Sequence, residues 1–292
     1  MRSLALWMLP GAVAVVWLLV FLMQRSGDDE VMDRVSRGVW GGMAGVAGYD
    51  WIRVPFHEGG MNPFAAIRSY GMWLTDAAQS SALSDVTGML YHLLNGIGFG
   101  IAYALVAPKG RQMALAGAVV WGVALEMFAV LSPFAQVYHL SGWTTPVLLA
   151  FFAHLFYGWP LGGVLITRSV TRVIKAFILV ALVSALGWLL WIFQASNGWE
   201  PVTRNTLEVT DRVIQPGWTR IEKGTPLTLH HRGKETRVLR LPANPQEKSE
   251  VTPGASVPLN FDKPGIYQVL VEQEGMRSAF IIVEEGGLVR LP

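Results

Sequence analysis

The sequence predicts an α-helical polytopic membrane domain followed by an all-β domain. Of its 292 residues, 52% are apolar and 15% are charged, whereas soluble domains carry about 25% charged residues. The mean hydropathy is +0.37. Charge is also unevenly distributed: residues 1–198 hold 11 Lys/Arg and 9 Asp/Glu, and the shorter remainder holds 12 of each. We therefore assign residues 1–198 to the membrane domain and residues 199–292 to the β-domain.

Six apolar segments are each long enough to cross a bilayer core, which takes about 20 residues. The first exceeds the apolar region of about 7–15 residues found in signal peptides, and residues 23–25 (Met-Gln-Arg) are a poor cleavage site. We therefore expect six transmembrane helices, with the first one retained. They cover residues 3–23, 36–54, 86–107, 112–132, 145–166 and 174–195.

The loops that follow the first, third and fifth segments are rich in basic residues. They carry eight Lys/Arg, against three on the opposite side. Because basic loops stay in the cytoplasm, we expect both termini and the β-domain to be extracytoplasmic, in the inner (cytoplasmic) membrane of a prokaryotic cell. Residues 62–74 have an amphipathic pattern, which predicts a helix lying on the outer membrane face. The basic residues are Arg25, Arg34, Arg37, Lys109, Arg111, Arg168, Arg172 and Lys175.

The β-domain contains seven short runs with strand-like patterning, separated by turns rich in Pro and Gly. Short strands at such regular spacing are typical of a β-sandwich. The runs cover residues 207–210, 219–222, 226–230, 237–241, 256–261, 266–271 and 279–283.

The order of these segments resembles the cupredoxin fold over residues 206–285. Residues 223–229 (Lys-Gly-Thr-Pro-Leu-Thr-Leu) are similar to that family's strand after the second turn. Residues 263–267 (Lys-Pro-Gly-Ile-Tyr) resemble its approach to the copper-ligand loop, and residues 274–276 (Glu-Gly-Met) resemble the end of that loop. The resemblance implies a cupredoxin-like sandwich.

The copper ligands of that family are missing. Val271 stands where the resemblance implies the cysteine ligand, and residues 235–236 (Glu-Thr) stand where it implies the first histidine. An axial methionine alone does not hold copper. We interpret His230 and His231 as polar residues at a strand end. We therefore expect no copper in the C-terminal domain and a docking role for it.

The membrane domain contains an internal repeat. Residues 92–100 and 154–162 both read His-Leu-x-x-Gly-x-x-x-Gly, and Val-Trp-Gly precedes them at residues 39–41 and 120–122. This pattern predicts two copies of one helical hairpin in the same orientation. It resembles uncharacterised prokaryotic multi-pass membrane families with a His-Leu-x-Tyr-Gly helix, a resemblance that implies no activity.

Four predicted helices each place one ionisable side chain at a similar depth below the outer face: His92, His154, Glu126 and Asp50. At 1.5 Å per residue these depths are roughly 6–13 Å, and a buried carboxylate there needs a partner. Two imidazoles and two carboxylates match the ligands of a divalent metal such as zinc, iron, manganese or copper(II). His92 and His154 also match the axial ligands of one b-type haem. A hydrogen-bonded His–Glu pair that only locks the bundle is the third alternative.

Several classes of function are excluded or disfavoured. The chain has no cysteine, which excludes thiolate metal sites, and it lacks a hydrolase triad, a phosphate-binding loop and a nucleotide fingerprint. Its net charge of +2 is too small and too scattered to indicate nucleic acid binding. We expect a protein that handles a metal ion or haem in the membrane, and we favour a non-enzyme over an enzyme. The alternative is a non-catalytic accessory subunit or assembly factor of a respiratory or electron-transfer complex. The expected partners are membrane lipids and other membrane or periplasmic redox proteins.

Overall fold

The structure is a computed structural model that describes residues 27–56, 64–131, 145–197, 205–211, 213–241, 244–271 and 279–285, together with Phe21 and Arg25. The described residues form six α-helices, of which the last four are long and apolar enough to cross a membrane. The helices are α1 (Asp29–Arg53), α2 (Ala65–Thr75), α3 (Ala82–Val106), α4 (Arg111–Leu131), α5 (Thr145–Ile166) and α6 (Arg172–Asn197).

The chain is therefore a membrane protein, but the predicted number of six spans is not confirmed. The first predicted span, residues 3–23, lies almost wholly outside the described residues. The second is part of α1, whose first turn carries Asp29 and Glu30. The helix α1 is absent from the four helices that meet the criteria of length and apolarity.

Side-chain caps explain where two of the helices begin. The Asp28 carboxylate accepts hydrogen bonds from the backbone N–H groups of Glu30 and Val31, so α1 begins well before the apolar segment. Ser81 and Ser84 form a reciprocal capping box at the start of α3. As a result α3 begins at Ala82, four residues earlier than its apolar pattern predicts.

Helix α1 is the central helix and packs against α3, α5 and α6. Its glycines allow this, because a Cβ atom at Gly42 would lie 2.6 Å from the carbonyl oxygen of Gly96 on α3. A Cβ atom at Gly45 would lie 2.6 Å from the Tyr157 ring on α5. The Tyr157 hydroxyl donates a 2.6 Å hydrogen bond to the Gly96 oxygen and so joins α5 to α3. Small residues therefore set the spacing of these helices.

A buried ion pair holds α2 against α3. Arg68 donates two hydrogen bonds to Asp85, of 3.0 and 2.8 Å, and both side chains are fully buried. Arg68 also donates a 3.3 Å hydrogen bond to the carbonyl oxygen of Phe193 on α6, and its guanidinium lies 4.7 Å from the centroid of that ring. One side chain thus connects three helices.

The C-terminal part is a sandwich of two mixed sheets, in the orders β2-β1-β4-β7 and β3-β9-β8-β5-β6. The pairs β1–β4 and β3–β9 are parallel, and the described strands bury one apolar core between the sheets. This arrangement is consistent with a cupredoxin-like fold. The strands are β1 (Thr206–Val209), β2 (Ile214–Gln215), β3 (Trp218–Glu222), β4 (Leu227–His231), β5 (Arg237–Leu241), β6 (Asn244–Val251), β7 (Ser256–Leu259), β8 (Gly265–Val271) and β9 (Ala279–Glu284).

The outer face of the larger sheet covers α2. Met72 and Trp73 of α2 pack against Trp218, Phe280 and other apolar side chains of β3, β8 and β9. This corrects the interpretation of residues 62–74 as a helix on the membrane surface. Within that segment, residues 62–63 lie outside the described residues, and α2 lies between the helices and the sheet. Its amphipathic pattern fits two protein surfaces because both are apolar.

The chain segment after α2 also extends the larger sheet. Gln79 forms an antiparallel bridge with Thr219 of the edge strand β3, and backbone hydrogen bonds of 2.8 and 3.1 Å flank it. The Arg220 side chain donates a 3.0 Å hydrogen bond to the carbonyl oxygen of Met72 and forms an ion pair with Asp76. The two parts of the protein are therefore joined by sheet pairing, apolar packing and a buried cation.

Candidate functional site

The two predicted hairpins, α1–α3 and α4–α5, pack in the same register at their small residues. Gly42 of α1 lies against Gly96 of α3, and Ala118 of α4 lies against Gly158 of α5. These positions relate α1 to α4 by a shift of 76 residues (118 − 42). The Val-Trp-Gly motifs at residues 39–41 and 120–122 are 81 residues apart, so they do not occupy equivalent positions in the two hairpins.

In this register Asp50 and Glu126 are equivalent (126 − 50 = 76), and each lies beside the histidine of its own hairpin. The Nε2 atom of His92 lies 3.1 and 3.2 Å from the two carboxylate oxygens of Asp50. The Asp50 side chain is fully buried, and that of His92 is 20% exposed. An ionised carboxylate only accepts hydrogen bonds, so beside an ionised Asp50 the proton of a neutral His92 ring would sit on Nε2 and the lone pair on Nδ1.

The second pair has the same composition and a different hydrogen-bond arrangement. The Nδ1 atom of His154 donates a 2.8 Å hydrogen bond to the carbonyl oxygen of Ala150, one turn earlier in α5. The same nitrogen lies 3.2 Å from Oε2 of the buried Glu126. Because Nδ1 carries the proton, Nε2 of neutral His154 keeps its lone pair.

Tyr49 connects the two pairs. Its ring centroid lies 5.6 Å from that of His92 and 4.7 Å from that of His154. Arg53, one turn further along α1, places its guanidinium carbon 4.4 Å from the Tyr49 ring centroid and a nitrogen 3.7 Å from Oδ1 of Asp50. We define the intramembrane cluster as Tyr49, Asp50, Arg53, His92, Glu126 and His154.

The structure thus brings the four predicted site residues together as two pairs. Among the described residues, no group of three or more His, Asp or Glu side chains is positioned to hold one metal ion. The two other histidines of the N-terminal part, His57 and His139, lie outside the described residues. The sequence analysis missed the roles of Tyr49 and Arg53. The available signal was the spacing of Arg53, which follows Asp50 by three residues and Tyr49 by four, because residues three and four apart share a helix face.

The cluster has an imbalance of charge. Among its described side chains, the carboxylates Asp50 and Glu126 face one guanidinium, that of Arg53. By formal charge, one negative charge therefore remains when both carboxylates are ionised and both histidines are neutral. An uncompensated charge between membrane helices is costly. The arrangement therefore attracts a cation, either a proton or a metal ion.

The histidines of the β-domain have local protein partners. Nδ1 of His230 lies 2.5 Å from the Ser256 hydroxyl. His231 is buried, and its Nδ1 accepts a 2.9 Å hydrogen bond from the backbone N–H of Gly233. Val271, at the position of the missing cysteine ligand, is a buried residue at the end of β8. Met276 lies outside the described residues.

Neither the protein-family models nor the curated proteins contain a match to this chain. Among solved structures, the chain is similar to a novel purple cupredoxin from Nitrosopumilus maritimus, with 13% identity over 27% of this chain and 98% of that one (TM-score 0.25). It is similar to the Cu-containing nitrite reductase of Thermus scotoductus SA-01, with 16% identity over 31% of this chain and 24% of that one (TM-score 0.26). It is also similar to a chain in the structure of a haem-copper terminal oxidase dimer, with 18% identity over 39% of this chain and 100% of that one (TM-score 0.24).

Proposed function

We propose that this membrane protein handles a divalent metal ion at the intramembrane cluster and uses its cupredoxin-like domain, on the extracytoplasmic side, as a docking module. The observation that carries the proposal is the arrangement of the two histidines. Each has one ring nitrogen facing a carboxylate from the neighbouring helix and a lone pair on the other nitrogen. Histidines that bind metals commonly have such a carboxylate at their second nitrogen, which fixes the tautomer and the ring orientation.

The unbalanced negative charge also supports a cation. The donors are nitrogen and oxygen atoms, which suit zinc, iron, manganese or copper(II). His92 and His154 would hold the ion, and Asp50 and Glu126 would orient them or join them as ligands. Because the described residues supply pairs and not a closed set, water or further donors would complete the coordination.

A haem between the two histidines fits less well. Such a haem needs its ring plane between the imidazoles, and the Tyr49 side chain contacts both of them. Haem binding would therefore require Tyr49 to move. In the remaining alternative, the two pairs only lock the bundle. The cation that offsets the excess negative charge of the intramembrane cluster is then a proton.

The test is zinc binding by the full-length chain in detergent. After treatment with a chelator, we expect it to bind about one Zn²⁺, measured by metal analysis and calorimetry. Glu126→Gln removes the charge with little change of shape, and we expect about 10–100-fold weaker binding, as for other residues that orient metal ligands. His230→Ala, in the β-domain, is the matched control. Equal zinc binding by wild type and a His92→Ala/His154→Ala variant would refute a metal at this site and favour the locked bundle.

A second candidate function is that of an accessory subunit or assembly factor of a respiratory complex. The observation that favours it is the fixed attachment of the β-domain to α2, which would hold a docking surface at a constant height above the membrane. Isolation in mild detergent tests this. Co-purification of a haem- or copper-containing oxidoreductase, detected by its optical spectrum, would support the accessory role, and isolation of the chain alone would contradict it.

A further inference from the structure

A group of basic side chains lies where the ends of α1, α5 and α6 meet. Arg37 of α1 donates hydrogen bonds of 2.5 and 3.2 Å to the carbonyl oxygens of Thr167 and Arg168, just beyond the end of α5. In α6, the Lys175 ammonium lies 5.1 Å from the centroid of the Trp40 ring of α1. We define the basic cluster as Arg37, Arg168, Arg172 and Lys175.

The positive charge of the basic cluster is largely unbalanced. Arg37 pairs with Asp33 at 2.6 Å. In the part of the chain that the structure describes, Arg168, Arg172 and Lys175 form no ion pair with an acidic side chain. The cluster therefore has a net charge of about +3, counted from formal side-chain charges.

The basic cluster borders an apolar surface. Val173 and Phe177, within the first two turns of α6, are 79% and 73% exposed. Since α6 is long and apolar enough to cross a membrane, these exposed side chains would contact lipid acyl chains. The cations therefore lie at the level where lipid phosphates are found.

We propose that the basic cluster binds the phosphate of an anionic phospholipid, with the acyl chains lying along Val173 and Phe177. Charge complementarity is the argument, together with the position of the cations at the edge of the apolar surface. Trp40 and Lys175 add an aromatic ring and an ammonium of the kind found at membrane interfaces. This proposal is independent of any metal at the intramembrane cluster.

The chain contains a matched control at the same end of the bundle. The connection between α3 and α4 corresponds, in the other hairpin, to the connection between α5 and α6. Lys109 lies in this connection, and Arg111 is the first residue of α4. Nearby, Arg34 donates a hydrogen bond to the carbonyl oxygen of Ala107, just beyond α3, and pairs with Glu30 at 3.1 Å. General attraction of anionic lipids to this face would involve both connections, whereas a binding site would involve only the basic cluster.

The experiment is lipid binding by the full-length chain in detergent, measured by native mass spectrometry with phosphatidylglycerol and phosphatidylcholine. We expect the wild type to prefer phosphatidylglycerol. Each cation contributes about a fivefold preference, so Arg168→Gln/Arg172→Gln/Lys175→Gln should weaken phosphatidylglycerol binding about 100-fold. Phosphatidylcholine binding should not change. The control Lys109→Gln/Arg111→Gln should change phosphatidylglycerol binding less than fivefold.

Three results would overturn the proposal. The first is unchanged phosphatidylglycerol binding in the triple variant, and the second is an equal loss of phosphatidylglycerol binding in the triple variant and the control. The third is complete competition by inorganic phosphate at millimolar concentration, which would indicate a site for free phosphate. The thermal unfolding of each variant is measured in parallel. If the triple variant fails to fold, Arg172→Gln alone, an exposed position, should give the fivefold loss, and Arg172→Lys should restore binding.

Discussion

Replacing both members of the buried pair Arg68–Asp85 should harm the protein less than replacing either one. The pair has two hydrogen bonds, of 3.0 and 2.8 Å, between fully buried side chains. Arg68→Met leaves the buried Asp85 carboxylate without this cation, and Asp85→Leu leaves the buried guanidinium with the carbonyl oxygen and ring of Phe193 but without this carboxylate. Removal of one partner of a buried ion pair typically costs about 3–5 kcal/mol.

In Arg68→Met/Asp85→Leu no charge is left buried at this position. Apolar replacements of buried ion pairs are often neutral or stabilising, so we expect the double variant to unfold within about 1 kcal/mol of the wild type. The assay is unfolding in mixed micelles with increasing SDS, followed by far-UV circular dichroism. The coupling energy from the double-mutant cycle should be about 5 kcal/mol or more. A double variant that loses the sum of the two single losses would refute the reasoning, because it would show that the two charges do not stabilise each other.

Three further predictions concern the helix spacing and the attachment of the β-domain. Gly42→Ala should lower the free energy of unfolding by about 1–3 kcal/mol, because its Cβ atom would lie 2.6 Å from a backbone oxygen of α3. Gly98→Ala, which meets no atom within 4 Å, should not lower it. Arg220→Met should lower the free energy of unfolding by about 2–3 kcal/mol. It should also shift tryptophan emission to the red, because the sheet separates from α2. The control Arg232→Met, which removes an exposed arginine from an ion pair, should do neither. Tyr157→Phe should cost about 1 kcal/mol in the same unfolding assay, since a 2.6 Å hydrogen bond to α3 is lost, and an unchanged midpoint would contradict this.

The described helices and most strands could be predicted because their signals are local. All seven predicted strands are present. The structure also contains two strands that were not predicted, each for a physical reason. Strand β2 has only two residues, and β6 (Asn244–Val251) is a polar edge strand without apolar alternation. Helix α1 extends the predicted span 36–54 towards its N-terminus because Asp28 caps it, a polar signal that hydropathy does not contain.

The pairing within the candidate site could not be predicted, because it depends on helix register and rotation. Apolar composition fixes neither the register nor the rotation of a helix, which are set only when its side chains pack against a neighbour. The Val-Trp-Gly motifs suggested a shift of 81 residues between the hairpins, whereas the small residues pack with a shift of 76. With a shift of 81 residues Asp50 would correspond to Leu131, whereas with a shift of 76 it corresponds to Glu126. The position of α2 between two protein surfaces could not be predicted either, since an amphipathic pattern does not distinguish a lipid surface from a protein surface.

The pairing of Gln79 with Thr219 has a consequence for the order of events during synthesis. The two residues are 140 positions apart, and at about 5–20 residues per second the ribosome needs about 7–28 s to span them. During that interval Met72 and Trp73 are already made, while the sheet that covers them does not yet exist. An amphipathic helix can bind a lipid surface, so the membrane interface is available to α2 until the β-domain has been made. The apolar face of α2 would then contact lipid first and the β-domain afterwards.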